Sequence, residues 1–329
     1  MPHTLQKRDP FFDNLKGILI YLVFAGHCLS PYKEDNAFCA YLYQLIFSFH
    51  MPLFLYISGY FSKNVARGAQ TAYEALILPA IPFELAYFFL HWVTNADNFY
   101  PFLTPIFAYW YLFVLFGYRV LLPYMVKLRA ILPISLLLAL GVGFNTQIGE
   151  YMTLSRFFCL LPCFLLGYYT DSQVMDRMRH ANGKLAFLLG LAGVVSLLVV
   201  WNGDLIPLQF TLADPYESVY GLAGRLFQFS LAILFSLALI RFTPTKESFL
   251  TRIGRRTLQI YFLHFYLISV LEMVNPFTQM PLLNAVLMLV IPAVLTALLA
   301  TPVVDVPYQL LLRWTRALLL RQPKEETSN

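Results

Sequence analysis

Asp13, Lys16 and His27 stand around an otherwise hydrocarbon stretch of the chain, residues 17–26. Residues eleven apart on a helix, at about 100° each, return to within about 20° of the same face and sit about 16 Å apart along the axis. Lys16 and His27 therefore share a face at different depths. Such a pair suits a cytoplasmic thioester donor: the cation meets its phosphates at the rim, and the deeper imidazole has the right proton affinity for general-base work near neutral pH. The bland alternatives are a snorkelling anchor for Lys16 and an interhelical hydrogen bond for His27.

Further ionisable groups lie in apolar surroundings, where their cost makes each a functional candidate. His50 precedes Pro52 in Phe49-His50-Met51-Pro52-Leu53-Phe54. Pro52 frees the carbonyl near Ser48, so His50 or Ser48 either repairs the kink or faces a cavity. Glu84 follows Pro82 among aromatic residues, where a carboxylate is protonated or paired. It either orients an imidazole or partners Arg156 or Arg225. Arg156 and Arg225 call for an anion, an acidic neighbour or a substrate. His264 is expected to face the bundle in a packing role, His91 beside Trp92 to lie at the interface, and His3 and His180 to be exposed.

These groups need helices that cross a membrane. The chain has 329 residues, 59% apolar and 12% charged, about half the charge of a soluble globular chain. Its 21 Tyr and 30 Phe cluster at the ends of apolar runs, as in interfacial belts. At about 20 residues per crossing, ten segments are expected at 14–30, 38–61, 73–93, 105–126, 130–144, 152–170, 185–201, 219–240, 257–274 and 281–304. Residues 202–218 can hold a re-entrant or interfacial piece. Residues 308–321, with Leu310, Leu311, Leu312, Leu318 and Leu319 among Arg313, Arg316 and Arg321, read as an amphipathic helix lying on the membrane.

With the N-terminus in the cytoplasm, of the 23 Lys and Arg only Lys33, Arg156 and Arg225 fall in the outer half. That bias predicts an N-in, C-in all-α bundle in a plasma (inner) membrane, with membrane lipid as a partner. The N-terminal apolar stretch is expected to be retained, because Ser30-Pro31-Tyr32 offers no small-residue cleavage pattern. The whole chain, 1–329, then forms one transmembrane domain, with 1–13 and 305–329 cytoplasmic or on the membrane. The basic residues are scattered and make no nucleic-acid footprint. Cys159 and Cys163 are expected as buried small side chains, not a metal pair. A Cys28 to Cys39 disulfide is open.

Arg8-Asp9 with Phe12-Asp13-Asn14-Leu15-Lys16-Gly17-Ile18 through Gly26-His27 resembles the opening motif of the acyltransferase-3 family, in which ten positions separate a basic residue from a histidine. Phe49-His50-Met51-Pro52-Leu53-Phe54 with Ser58-Gly59-Tyr60 is similar to its second-span motif. Tyr109-Trp110-Tyr111-Leu112, Arg156-Phe157-Phe158 with Leu161-Pro162 and Gly167-Tyr168, and Gly254 with Ile260-Tyr261-Phe262-Leu263-His264 resemble later landmarks, in order along most of the chain. Within the family, Asn-Leu-Lys and His-Met-Pro-Leu-Phe look most like the branch named for fucose 4-O-acetylase.

The resemblance implies a bacterial multi-spanning enzyme that takes acetyl from cytoplasmic acetyl-CoA to hydroxyls of a glycan or lipid-linked sugar, often at the outer face, with no tightly bound cofactor and no metal. It implies His27 as catalytic base or acyl acceptor, Lys16 in a role usually held by Arg, and Arg156 serving the site from another helix. Lysine there is a point charge, without a bidentate fork. No appended esterase-like module is expected. Trp110, Tyr111 and Arg156 are candidate donors to a tetrahedral oxyanion, while Lys16, Asp13, His50, Trp110 and Tyr111 are candidates for the donor's path, and His27, Arg156 and Glu84 for the chemistry. A secondary transporter is the rival reading, but the paired short broken segments of a repeat are missing. A non-enzymatic scaffold for glycan assembly is the third.

Overall fold

The computed structural model describes residues 8–94, 109–148, 153–208, 210–274 and 280–320. Among these the chain is helical, without a strand. His3, the side chain of His91, the polar tail 322–329 and the start of the expected segments at 105 and 152 lie outside the described residues. The helices are α1 (Pro10–Leu29), α2 (Ala37–Tyr60), α3 (Val65–Ala72), α4 (Leu78–Thr94), α5 (Trp110–Met125), α6 (Ile131–Gly141), α7 (Leu154–Tyr169), α8 (Ser172–Arg179), α9 (Gly183–Gly203), α10 (Gly221–Phe242), α11 (Phe249–Gly254), α12 (Thr257–Val274), α13 (Pro281–Leu299) and α14 (Pro302–Leu319).

Six helical runs among the described residues are long and apolar enough to cross a membrane: Pro10–Tyr32, Ala37–Tyr60, Val65–Phe89, Gly183–Gly203, Gly221–Phe242 and Pro281–Leu299. Shorter apolar helices, Trp110–Met125, Ile131–Phe144, Leu154–Tyr169 and Thr257–Glu272, fall in the remaining expected segments.

Local chemistry sets the helix ends. Asp9 caps α1 by accepting the Phe11 N–H at 3.0 Å, with Pro10 in the first turn. Asn36, Asn64, Asp171 and Asn182 cap α2, α3, α8 and α9 in the same way. Two boundaries depart from expectation. The third apolar run starts at Val65 and passes through a π-helical turn, Tyr73–Ile77, just before Pro79, whose missing N–H breaks the i→i−4 ladder. The last apolar run ends at Leu299, because Pro302 cannot continue α13 and instead opens α14 from the Thr301 cap. The amphipathic helix therefore begins six residues earlier than the leucine pattern indicates. Leu318, Trp314 and Leu310 on it are exposed.

The centre of the bundle is α1 and α2. α1 packs on α2, α11, α12 and α13, and α2 packs on α7 and α10 as well. α1 is buried on nearly every side, which its apolar composition allows. α9 buries only Ala186, Gly193 and Leu197 and turns Leu188, Leu191, Val195 and Val199 outward. Backbone contact fixes the central crossings: a Cβ on Gly59 would strike the Phe164 carbonyl, and one on Gly167 the Tyr56 carbonyl. Small residues let apolar helices approach this closely. Gly17 and Gly254 do the same for α1 on α11, where a Cβ on Gly254 would meet the Asp13 carbonyl.

Basic loops gather at one end of the bundle. Arg179 pairs with Asp9 at 2.8 Å, Asn14 donates to the Pro244 and Lys246 carbonyls at 2.7 and 2.8 Å, and Arg256 pairs with Asp305 at 3.1 Å. Lys63 joins them by donating to the Tyr168 and Thr170 carbonyls. At the other end Asn36 ties α2 to α13 through the Pro281 carbonyl at 2.8 Å. Phe210, Leu212 and Ala213, which follow α9, are buried against the bundle there.

Candidate active site

Asp13 is 1% exposed and carries a cluster of cations at the basic end. Arg8 Nε lies 2.7 Å from its Oδ2, Lys16 Nζ 3.3 Å from Oδ1 and Arg255 Nε 3.5 Å from Oδ2. Glu247 shares Arg255 at 2.6 Å and holds its guanidinium above the ordinary arginine range. Asp13 and Glu247 supply two negative charges against the three of Arg8, Lys16 and Arg255, so the cluster keeps a net positive charge. Asn14, 0% exposed, locks this end of α1: beyond its two donated bonds, it accepts the Ser248 hydroxyl at 2.9 Å and the Thr251 hydroxyl at 2.6 Å.

A cavity of about 270 Å³ opens beside the cluster between α1, α2, α5 and α12. Its wall from α1 is Lys16, Ile20 and Val23, spaced so that the next residue of the series is His27. α5 contributes Tyr111, Leu115 and Arg119, two turns on one face. α2 contributes Ser58, whose hydroxyl is 2.9 Å from that of Tyr111. Tyr261 closes it from α12. Val23 and Tyr261 each precede an imidazole by one turn, His27 on α1 and His264 on α12, and the two rings lie 5.6 Å apart.

His27 is partly buried and also meets Phe47 and Phe265, at ring separations of 5.7 and 5.5 Å. Arg156, in the first turn of α7, stacks over Trp110 at 5.2 Å, donates to the Thr211 carbonyl at 3.1 Å, and is near enough for its charge to act at His27. The structure thus brings Lys16 and Tyr111 onto one cavity, with Asp13 holding Lys16 and the Arg156–Trp110 stack toward His27. It does not bring all the candidates there. His50 is not on the cavity wall, where its neighbour Met51 stands; its Nδ1 is 2.7 Å from the Ile46 carbonyl. Ser48 turns to the Leu45 carbonyl at 2.7 Å. Glu84 sits on α4, close to Tyr109, Tyr261 and Tyr266. Arg225 is 2% exposed, donates to the Ala139 carbonyl at 3.0 Å and covers the Tyr216 ring at 4.5 Å, so a carbonyl and an aromatic face receive it.

Arg119, Ser58 and Tyr261 join the site only in three dimensions. Arg119 did carry a signal: it is a cation inside an apolar helix, eight residues after Tyr111, where the same face recurs. The four cysteines are free thiols, so no Cys28–Cys39 bridge exists. Among the described residues no cluster of His, Cys, Asp and Glu has metal-ligand geometry.

Residues 9–303 match the acyltransferase-3 family model, described as an acyltransferase domain. The chain belongs to the acyltransferase-3 family. The matched region is an acyltransferase domain, and it holds apolar helices long enough to cross a membrane. Similar curated proteins include the nodulation protein NolL of Mesorhizobium japonicum, 40% identical over 89 residues that make up 24% of each chain. NolL of Sinorhizobium fredii is 47% identical over 60 residues, 17% of this chain and 16% of that protein. The chain thus matches about a quarter or less of the length of these relatives. No solved structure matches it. Lys16 and His27 both fall within the matched region.

Proposed function

We propose that this acyltransferase-3 protein moves an acetyl (acyl) group from cytoplasmic acetyl-CoA to a hydroxyl of a glycan or lipid-linked sugar at the membrane or its outer face. It does so in a bacterial inner membrane, as a bundle of about ten spans with both termini inside. The observation that carries the reading is the line Lys16, Ile20, Val23, His27 on one face of α1, with the cavity open along its first three residues. The basic end, where Arg8, Lys16, Arg119 and Arg255 gather, meets the donor's phosphates, and the cavity takes its thin pantetheine arm toward His27. His27 then deprotonates the acceptor hydroxyl, or carries the acetyl group itself before passing it on. Arg156 is the charge best placed to stabilise an oxyanion beside His27. Asp13 acts by holding Lys16.

The test is labelled acetyl transfer by the purified protein from acetyl-CoA to extracted surface glycans. Wild type should transfer label, and His27→Ala should insert and fold while losing transfer by about 10²-fold or more. Full activity in His27→Ala would end the mechanism. Substrate uptake into proteoliposomes without acetyl-CoA would favour the transporter.

A further inference from the structure

Besides His27, two imidazoles among the described residues are buried in the bundle, each with Nδ1 on a carbonyl one turn back in its own helix. His50 lies against the Ile46 carbonyl of its own helix and off the cavity. His264 on α12 is 0% exposed, and its Nδ1 lies 2.6 Å from the Tyr261 carbonyl oxygen. A carbonyl can only accept, so in the neutral ring Nδ1 carries the proton and Nε2 presents a lone pair. That Nε2 is buried and has no hydrogen-bond partner among the described residues. Buried acceptors are rarely left so, and each exception calls for a reason.

The reason stands next to it. The His27 ring is 5.6 Å from that of His264, tilted by 40°. Phe265 walls both rings, at 4.7 Å from His264 and 5.5 Å from His27, and Phe24 covers His264 at 5.6 Å. The Tyr261 ring also lies 5.9 Å from His264, and His27 is the imidazole against which the lone pair can work. The two rings are not hydrogen-bonded to each other in this arrangement, and one water between them, or a small turn of either ring, joins them.

Resting on the acyl-transfer reading above, we infer that His264 is the positioning residue of His27: its Nε2 accepts the His27 N–H and fixes the tautomer whose other nitrogen is the base. The acceptor oxygen attacks the thioester carbonyl as His27 takes the hydroxyl proton, and a C–O bond forms. The resulting imidazolium keeps its second N–H on His264. The intermediate then collapses, the C–S bond breaks, and His27 returns the proton to the departing thiolate. An ester and a free thiol leave, and both imidazoles end as they began. The arrangement is the orienting logic of a catalytic triad, performed by a neutral lone pair that places no second charge in the membrane.

The experiment compares wild type, His264→Asn and His264→Gln as full-length protein in detergent. The Asn amide replaces Nδ1–H toward the Tyr261 carbonyl and offers nothing at Nε2; the Gln carbonyl reaches the Nε2 position. Asn should lower kcat by about 10²-fold with the acetyl-CoA KM within about twofold, and Gln should recover part of the loss. A wild-type kcat in folded His264→Asn overturns the inference. Should that variant not fold, ¹⁵N-histidine spectra of wild type and His27→Asn decide without substrate: the His264 Nε2 resonance must move when His27 is replaced, and an unmoved resonance overturns the role. A wild type that transfers no acetyl group, yet shows the moving resonance, defeats the acyl-transfer reading instead.

Discussion

Lys16 Nζ lies 3.3 Å from Oδ1 of Asp13, one turn back on the same helix, and that carboxylate is 1% exposed while the lysine keeps a quarter of its side chain open. Arg8 and Arg255 bind the other sides of the same group. Asp13 therefore orients cations and leaves them with charge to spare. Asp13→Asn should lower stability by about 1–3 kcal/mol, the cost of removing one partner from buried charged bonds. It should also raise the acetyl-CoA KM, because Lys16 loses its fixed position. Thermal melts and initial-rate kinetics read the two effects separately.

Lys16 and Arg119 line one cavity from different helices, α1 and α5. Replacing either by Gln should raise the donor KM about tenfold, equivalent to ~1.4 kcal/mol, with kcat changed less. Lys16→Arg should retain most donor binding, since a guanidinium contacts phosphate at least as well as an ammonium. Equal loss of kcat and kcat/KM in Arg119→Gln would mean that the residue touches the reacting atoms and not the donor's phosphates.

Gly59 and Gly167 face each other's helices across the α2–α7 crossing, with main-chain carbonyls in the space a methyl group would need. Neither backbone can yield as a flexible side chain would. Gly59→Ala and Gly167→Ala should each destabilise the protein by about 1–3 kcal/mol or more through overpacking. Gly68, which has nothing near it, is the control whose alanine variant should melt like wild type.

Asn14 donates to two carbonyls and accepts from two hydroxyls. Asn14→Ala should lower stability by about 1–3 kcal/mol, because buried partners are left unsatisfied. Asn14→Asp should not rescue it: a carboxylate can keep the Ser248 and Thr251 hydroxyls but would repel the Pro244 and Lys246 carbonyls. Melting temperatures of the two variants, measured side by side, check this order.

The fold was legible where hydrocarbon periodicity and caps speak alone. Each of the ten expected apolar segments holds a helix among the described residues, because a run of apolar side chains at membrane length has few other ways to satisfy its backbone. Boundaries set by proline were less legible: hydropathy averages over Pro79 and Pro302, whereas a missing N–H acts at one position. In the site, Lys16 and His27 could be aligned because they share one helix. Arg119, Ser58 and His264 could not be assigned to them, because they lie on other helices and only packing brings them near.

Composition and spacing by themselves determined that this chain is an apolar helical bundle with a cation and an imidazole in line on α1, since burial of hydrocarbon and the 3.6-residue turn are local properties of the sequence. Tertiary structure alone decided which helix faces which: glycine pairs let α2 meet α7 and α1 meet α11 at backbone distance. Those crossings join Asp13 to Arg255, open the cavity between Lys16 and Arg119, and set His264 beside His27. Such contacts depend on residues far apart in the chain, so no local pattern encodes them.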